Sequence, residues 1–145
     1  MKSLDPEATL ALYAPAADAP AGNDRSLVLY VRQGAQGALL TGDLEARGIA
    51  ALLGQPLTGP MSLLKLPHHG SRHSAAELLV ETFHPDCAVA SAGAGNRYGF
   101  PDPQVRATLS RAGIPLWHTD RDGSVRFVAG AARWRVGRWQ KGLFR

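Results

Sequence analysis

The sequence predicts an α/β layered domain, a mixed sheet with flanking helices. Strand-like and helix-like patterns alternate from about residue 37 to residue 118, the signature of helices packed on a sheet. The 145 residues are the size of one domain, long enough to bury a core. Their composition, 45% hydrophobic and 19% charged, is ordinary for a globular protein and argues against disorder.

The first 25 residues are rich in Ala and Pro, with one strand-like run, TLALYA (Thr9 to Ala14), before a PAADAPAGND loop. SLVLYVRQ (Ser26 to Gln33) is rich in β-branched and aromatic residues, and after the turn GAQG comes a second apolar run, ALLTGD. Two such runs joined by a short Gly-bounded turn predict a hairpin. LEARGIAALLG places Leu44, Ile49, Leu52 and Leu53 at nearly helical spacing and closes on Gly54. SLLKL reads as a buried strand, AAELLVETF as a helix and DCAVASAG as a strand. In PDPQVRATLSRAG, Asp102 suits an N-cap, Pro103 the first helical position and Gly113 the close. PLWHT, SVRFVA and ARWRV end the chain as strands. One domain is expected over 1–145: a lead-in over 1–25, a core over 26–128 and a basic, aromatic tail over 129–145.

No apolar run approaches the roughly 20 residues that span a bilayer. The N-terminus carries one lysine, early acids and prolines, which makes a poor signal peptide. The single cysteine, Cys87, forms no internal disulfide, so nothing reports an oxidising compartment. The net charge of +4 is unevenly placed: the tail AARWRVGRWQKGLFR holds five of the 16 Lys and Arg residues and two of the three tryptophans. Such a tail can follow a phosphate backbone and stack on bases. It also fits a final amphipathic strand, with Trp134 and Val136 facing in and Arg133 and Arg135 facing out.

Three polar clusters fall at the ends of predicted strands: Thr41-Gly42-Asp43, Pro67-His68-His69-Gly70-Ser71 and Asn96-Arg97-Tyr98-Gly99. In α/β sheets the carboxyl ends of the strands share one rim, where ligands bind. Carboxylate oxygen and imidazole nitrogen suit zinc or manganese. Each residue also has a plainer reading. Asp43, directly before a helix, suits an N-cap. A histidine pair in a loop is more often structural, and of two adjacent histidines at most one faces a metal while the other supports it. His73 suits a helix cap or solvent, His84 a helix end and His118 a packed strand end, while Asp120 and Asp122 suit a turn before Gly123.

Taken in order, SLVLYV, GALLTGDLE, LLKLPHHGSRHS, VASAGAGNRYGFPDPQV and LWHTDRDGSVRF closely resemble the C-terminal half of the metallo-β-lactamase-like domain of ComEC-type competence proteins. The resemblance covers roughly residues 8 to 128. It implies half of an αββα sandwich with a metal centre at one sheet edge, and metal-dependent cleavage of DNA phosphodiesters. By motif position it implies Asp43 and His69 as metal-binding and catalytic residues, with His68 beside them and a zinc or manganese ion as cofactor. Ser71, Arg72, Asn96 and Tyr98 become candidates for holding the phosphate, and Arg97 a weaker one. It also implies a domain outside the cytoplasmic membrane, attached to the inner membrane through a channel protein.

The chain departs from the family pattern twice. Phe100 stands where the family has histidine before proline. The His-x-His/Asp-x-Asp-His motif that supplies most ligands in this fold is missing, for no histidine precedes His68, and Asp5, Asp18 and Asp24 lack its spacing. The expectation is therefore a partial domain, inactive alone and completed by the missing N-terminal half. Its open sheet face is expected to dimerise or bind a partner. The alternative is a degenerate module that binds DNA or protein without chemistry. Lactone, thioester or β-lactam hydrolysis, known in the same fold, fits the HHGS and GAGNRYG pair less well.

Overall fold

A computed structural model describes residues 8–15 and 21–138 of the protein. The tail residues Trp139, Lys141 and Arg145, like Asp5 and Asp18, lie outside the described residues. Eight strands are described: β1 (Ala8–Tyr13), β2 (Val28–Gln33), β3 (Gln36–Leu40), β4 (Leu63–Lys65), β5 (Cys87–Ala90), β6 (Leu116–His118), β7 (Val125–Ala129) and β8 (Trp134–Arg138). The helices are α1 (Ala46–Leu53), α2 (Ala76–Phe83), α3 (Pro103–Arg111) and the single turn α4 (Thr119–Asp122). The architecture is α/β, as expected.

β1 to β6 form one mixed sheet in sequence order. β1, β2 and β3 pair antiparallel, and the β2–β3 hairpin turns through Gly34 and Ala35, with Gly34 at φ +56°. β3 to β6 run parallel, so each return passes through a helix. The carboxyl ends of β3, β4, β5 and β6 thereby share one rim. That rim carries the Asp43, His68–His69, Ser91 and Thr119 positions.

Helical spacing buries Ile49 and Leu52 of α1, Leu79 and Val80 of α2, and Val105 and Leu109 of α3. They pack with Leu39, Leu64, Ala88 and Ala90 from one face of the sheet. Residues one position along each strand face the other way. Ala38, Leu63 and Cys87 meet Phe127 and Trp134 of the two-stranded β7–β8 sheet. The β7–β8 hairpin thus covers part of the face expected to be open. Leu10 and Leu12 of β1, each 60% exposed, remain uncovered.

Trp134 packs inward, as the strand reading expected, and its Nε1 donates to Ser62 Oγ at 2.9 Å. Asp102 caps α3 by accepting from Gln104 N at 2.8 Å. Asp122 lies in the turn before Gly123, as expected, and is buried there. It is 6% exposed and accepts from His118 N (3.0 Å), Arg121 (3.2 and 3.0 Å) and Arg138 (2.8 Å). Arg138 of the tail is therefore committed to an ion pair.

Candidate functional site

The turn carrying Asp43 is held by a loop that lies twenty residues earlier. Asp43 N donates to Ser26 Oγ at 3.1 Å, and Asn23 Nδ2 donates to Glu45 Oε1 at 3.0 Å. Asp24 Oδ1 accepts from Glu45 N (3.0 Å) and Gly48 N (2.8 Å). Asp24, from outside the helix, therefore satisfies the first amides of α1. Asp43 does not cap α1, and this corrects the plainer expectation for it. Its carboxylate is left for the rim. Beneath it, Thr41 is fully buried and donates to Lys65 O at 2.9 Å.

The histidine turn follows β4 directly. His68 and His69 both take left-handed backbone, at φ +45° and +57°. Such conformations cost side-chain-bearing residues about 1–3 kcal/mol each. Local bonds hold them there: His68 N donates to Gly42 O (3.2 Å) and Ser71 N to His68 O (2.9 Å). Gly70 follows at φ +82°, where an added Cβ would stand 2.8 Å from Pro101 Cβ. Lys65 Nζ donates to Gly42 O (3.1 Å) and Leu66 O (3.2 Å). Burial pulls the Lys65 ammonium below its ordinary pKa, and the Asp43 charge opposes that shift.

These two turns bring Asp43 and His69 together. His69 Nε2 lies 3.6 Å from Asp43 Oδ1, and both side chains are a little under half exposed. The other ring nitrogen, Nδ1, meets Ser91 O at 2.5 Å. A carbonyl only accepts, so Nδ1 carries a proton, and Nε2 is the nitrogen turned toward Asp43. His68 faces elsewhere. Its Nδ1 lies 3.2 Å from Glu45 Oε1 but outside hydrogen-bonding alignment, a buried nitrogen with its bond unmade.

The third cluster forms the far wall. Asn96 clasps its own loop: Nδ2 donates to Phe100 O (2.8 Å) and Gly93 O (3.3 Å), and Oδ1 accepts from Phe100 N (2.8 Å). Asp102 N donates to Gly70 O at 2.9 Å, docking this loop on the histidine turn. The Phe100 ring then stands 5.8 Å from the His68 ring and 6.4 Å from the His69 ring, centroid to centroid. A cleft of about 750 Å³ opens between the walls, lined by His68, His69, His73, Asn96, Tyr98 and Phe100 among others.

The residues expected to hold a phosphate divide. Tyr98 lines the cleft and is 63% exposed. Asn96 also lines it, with its amide spent on the loop. Ser71 lines it but is 2% exposed, its hydroxyl accepting from His73 N. Arg72 and Arg97 are exposed, and Arg97 leans over the Tyr98 ring with Cζ 4.8 Å from its centroid. Sequence reasoning gave no role to Glu45, Asp24 or the Ser91 carbonyl. Glu45 sits two residues after Asp43, and that spacing is its signal in the sequence. A backbone carbonyl has none.

The donor set fits part of a metal site. Two ligands on a tetrahedral zinc stand about 3.4 Å apart, close to the 3.6 Å between Asp43 Oδ1 and His69 Nε2. Among the described residues, no group of three or more His, Cys, Asp or Glu side chains is placed to hold an ion. Nor is any described helix long and apolar enough to cross a membrane.

Fold and rim together define an α/β domain with a carboxylate–imidazole pair at the carboxyl edge of its parallel strands. Competence proteins are among its relatives. The chain is 36% identical over 114 residues to ComE operon protein 3 of Bacillus subtilis (strain 168), covering 78% of this chain and 15% of that protein. It is 37% identical over 130 residues to competence protein ComA of Neisseria gonorrhoeae, covering 84% and 19%. It is 36% identical over 106 residues to recombination protein 2 of Haemophilus influenzae, covering 73% and 13%. These relatives indicate a competence and DNA-uptake family, and the chain spans 13–19% of their length. No protein-family model matches the chain.

Proposed function

We propose that the chain is the C-terminal half of a metallo-β-lactamase-type αββα domain of a competence protein, cleaving DNA phosphodiesters with a divalent metal once the domain is complete. The observation that carries this reading is the approach of Asp43 Oδ1 to His69 Nε2 at 3.6 Å on the shared rim. Asp43 and His69 bind zinc or manganese as two of its ligands, and a segment outside this chain supplies the rest. Bound there, the ion supplies Lewis acidity and a water acidic enough to act as nucleophile near neutral pH. The Ser91 carbonyl holds the His69 tautomer and aims its free nitrogen. Tyr98, Arg97 and Arg72 reach toward the phosphate, while Ser71 and Asn96 position the two loops. A place outside the cytoplasm, attached to the inner membrane through a channel protein, belongs to the same reading.

The test adds a polypeptide carrying the upstream ligand motif, together with Mn²⁺ or Zn²⁺, and follows DNA hydrolysis. Hydrolysis that Asp43→Ala abolishes supports the reading. A correctly assembled complex that leaves DNA intact removes it.

A second reading, a DNA- or protein-binding module without chemistry, is favoured by the Phe100 ring standing among the histidines. The uncovered Leu10 and Leu12 edge is the candidate surface for a protein partner or a second copy. DNA binding that weakens steeply with salt and with Arg133→Ala and Arg135→Ala would favour this module. Arg138, already paired with Asp122, contributes least.

A further inference from the structure

We propose that Tyr98 and Phe100 form a stacking platform for the unpaired bases of a single nucleic-acid strand, leading it to the Asp43–His69 pair. This rests on the phosphodiester reading above and names the form of substrate.

Three rings run nearly parallel from solvent to the site. Tyr98 and Phe100 are 5.5 Å apart at 18°, and Phe100 and His69 are 6.4 Å apart at 14°. Tyr98, at 63% exposure, packs into no core; Arg97 lies over its ring, so ring and guanidinium together offer a flat, exposed surface to a ligand. A planar, π-faced ligand matches such a surface, and a nucleobase is one. The internal bases of a duplex are covered on both faces, so away from a duplex end a base laid on Tyr98 comes from an unpaired strand.

Charge supports the same occupant. Arg97 Nη2 donates to Tyr98 Oη at 2.6 Å, which keeps its guanidinium over the ring and beside the path of a backbone phosphate. The cleft volume of about 750 Å³ admits a nucleotide. Asn96, the amide best placed to read a base edge, spends both its donor and acceptor groups on its own loop. Binding is therefore tolerant of base identity.

The experiment measures fluorescence anisotropy of labelled oligodeoxythymidylate and of a duplex of equal length with the 145-residue chain in EDTA. The expected result is tighter binding of the single strand, weakened roughly ten-fold by Tyr98→Ala and retained by Tyr98→Trp. Equal binding of both forms, no binding by the unaltered chain, or no loss in Tyr98→Ala overturns the platform. Neither metal nor cleavage enters this readout. Stacking without hydrolysis in the assembled domain sinks the nuclease reading alone, and hydrolysis with an indifferent Tyr98→Ala sinks the platform alone.

Discussion

Asp43 Oδ1 faces His69 Nε2 across 3.6 Å while the opposite nitrogen of that ring is tied to Ser91 O. Two such donor atoms stand at about the spacing of neighbouring ligands on one ion. Mn²⁺ added to the chain is expected to broaden the His69 ring resonances in NMR before those of His84, which lies at the far end of α2. Asp43→Ala should remove the selectivity. Equal broadening of all the histidines would show that the pair holds no ion.

The position of Phe100 gives a gain-of-binding test. Its ring centroid lies about as far from the His68 and His69 rings as those two lie from each other, 5.8 and 6.4 against 6.1 Å. Phe100→His puts a third imidazole in this group, and tighter Zn²⁺ binding is expected by calorimetric titration. Unchanged affinity would mean the new nitrogen points away from the pair.

Gly70 is required twice over, by its φ of +82° and by the approach of Pro101. Gly70→Ala should destabilise the fold by about 2 kcal/mol or more, read as a lower urea midpoint. Because Gly70 joins the histidine turn to the Asn96 loop, the His68 and Phe100 resonances should move as well.

Asp122 makes stability depend on acid. Its hydrogen bonds from Arg121, His118 N and Arg138 hold the carboxyl well below the usual range against the opposing effect of burial. The folded chain therefore binds this proton less readily than the unfolded chain. The contribution is complete above the ordinary carboxylate pKa of about 4 and is lost as pH falls from there toward the depressed folded value. Asp122→Ala should destabilise the fold at pH 7 by on the order of 1–3 kcal/mol for the lost bonds, read as a lower melting temperature. It should also flatten the acid limb of the stability curve.

Cys87 should resist thiol reagents in the native state. It is 5% exposed, and burial, helped by Asp86, pushes its thiol up to about 11. Labelling at the rate of a free thiol would mean that the β7–β8 cover opens readily.

What could be read from the sequence was local or rim-based. Asp102 and Pro103 marked the start of α3 because a cap and its helix are neighbours in the chain. That Asp43 and the His68–His69 pair would stand near one another was legible because parallel strands end on a common edge. The support of Asp43 was not legible: Asp24 acts across 21 residues on Glu45 N, and Ser91 acts through a carbonyl that every residue owns. Alternation told that Trp134 faces inward. It did not tell that the receiving surface is the face around Ala38, Leu63 and Cys87, which had been expected to stand open.

The Lys65 ammonium, bonded to both Gly42 O and Leu66 O, has a mechanical consequence. It ties the Asp43 turn to the strand end that leads into the histidine turn, so the carboxylate and the imidazole are held from a common anchor. On the proposed reading, an arriving ion would meet a half-mould already set.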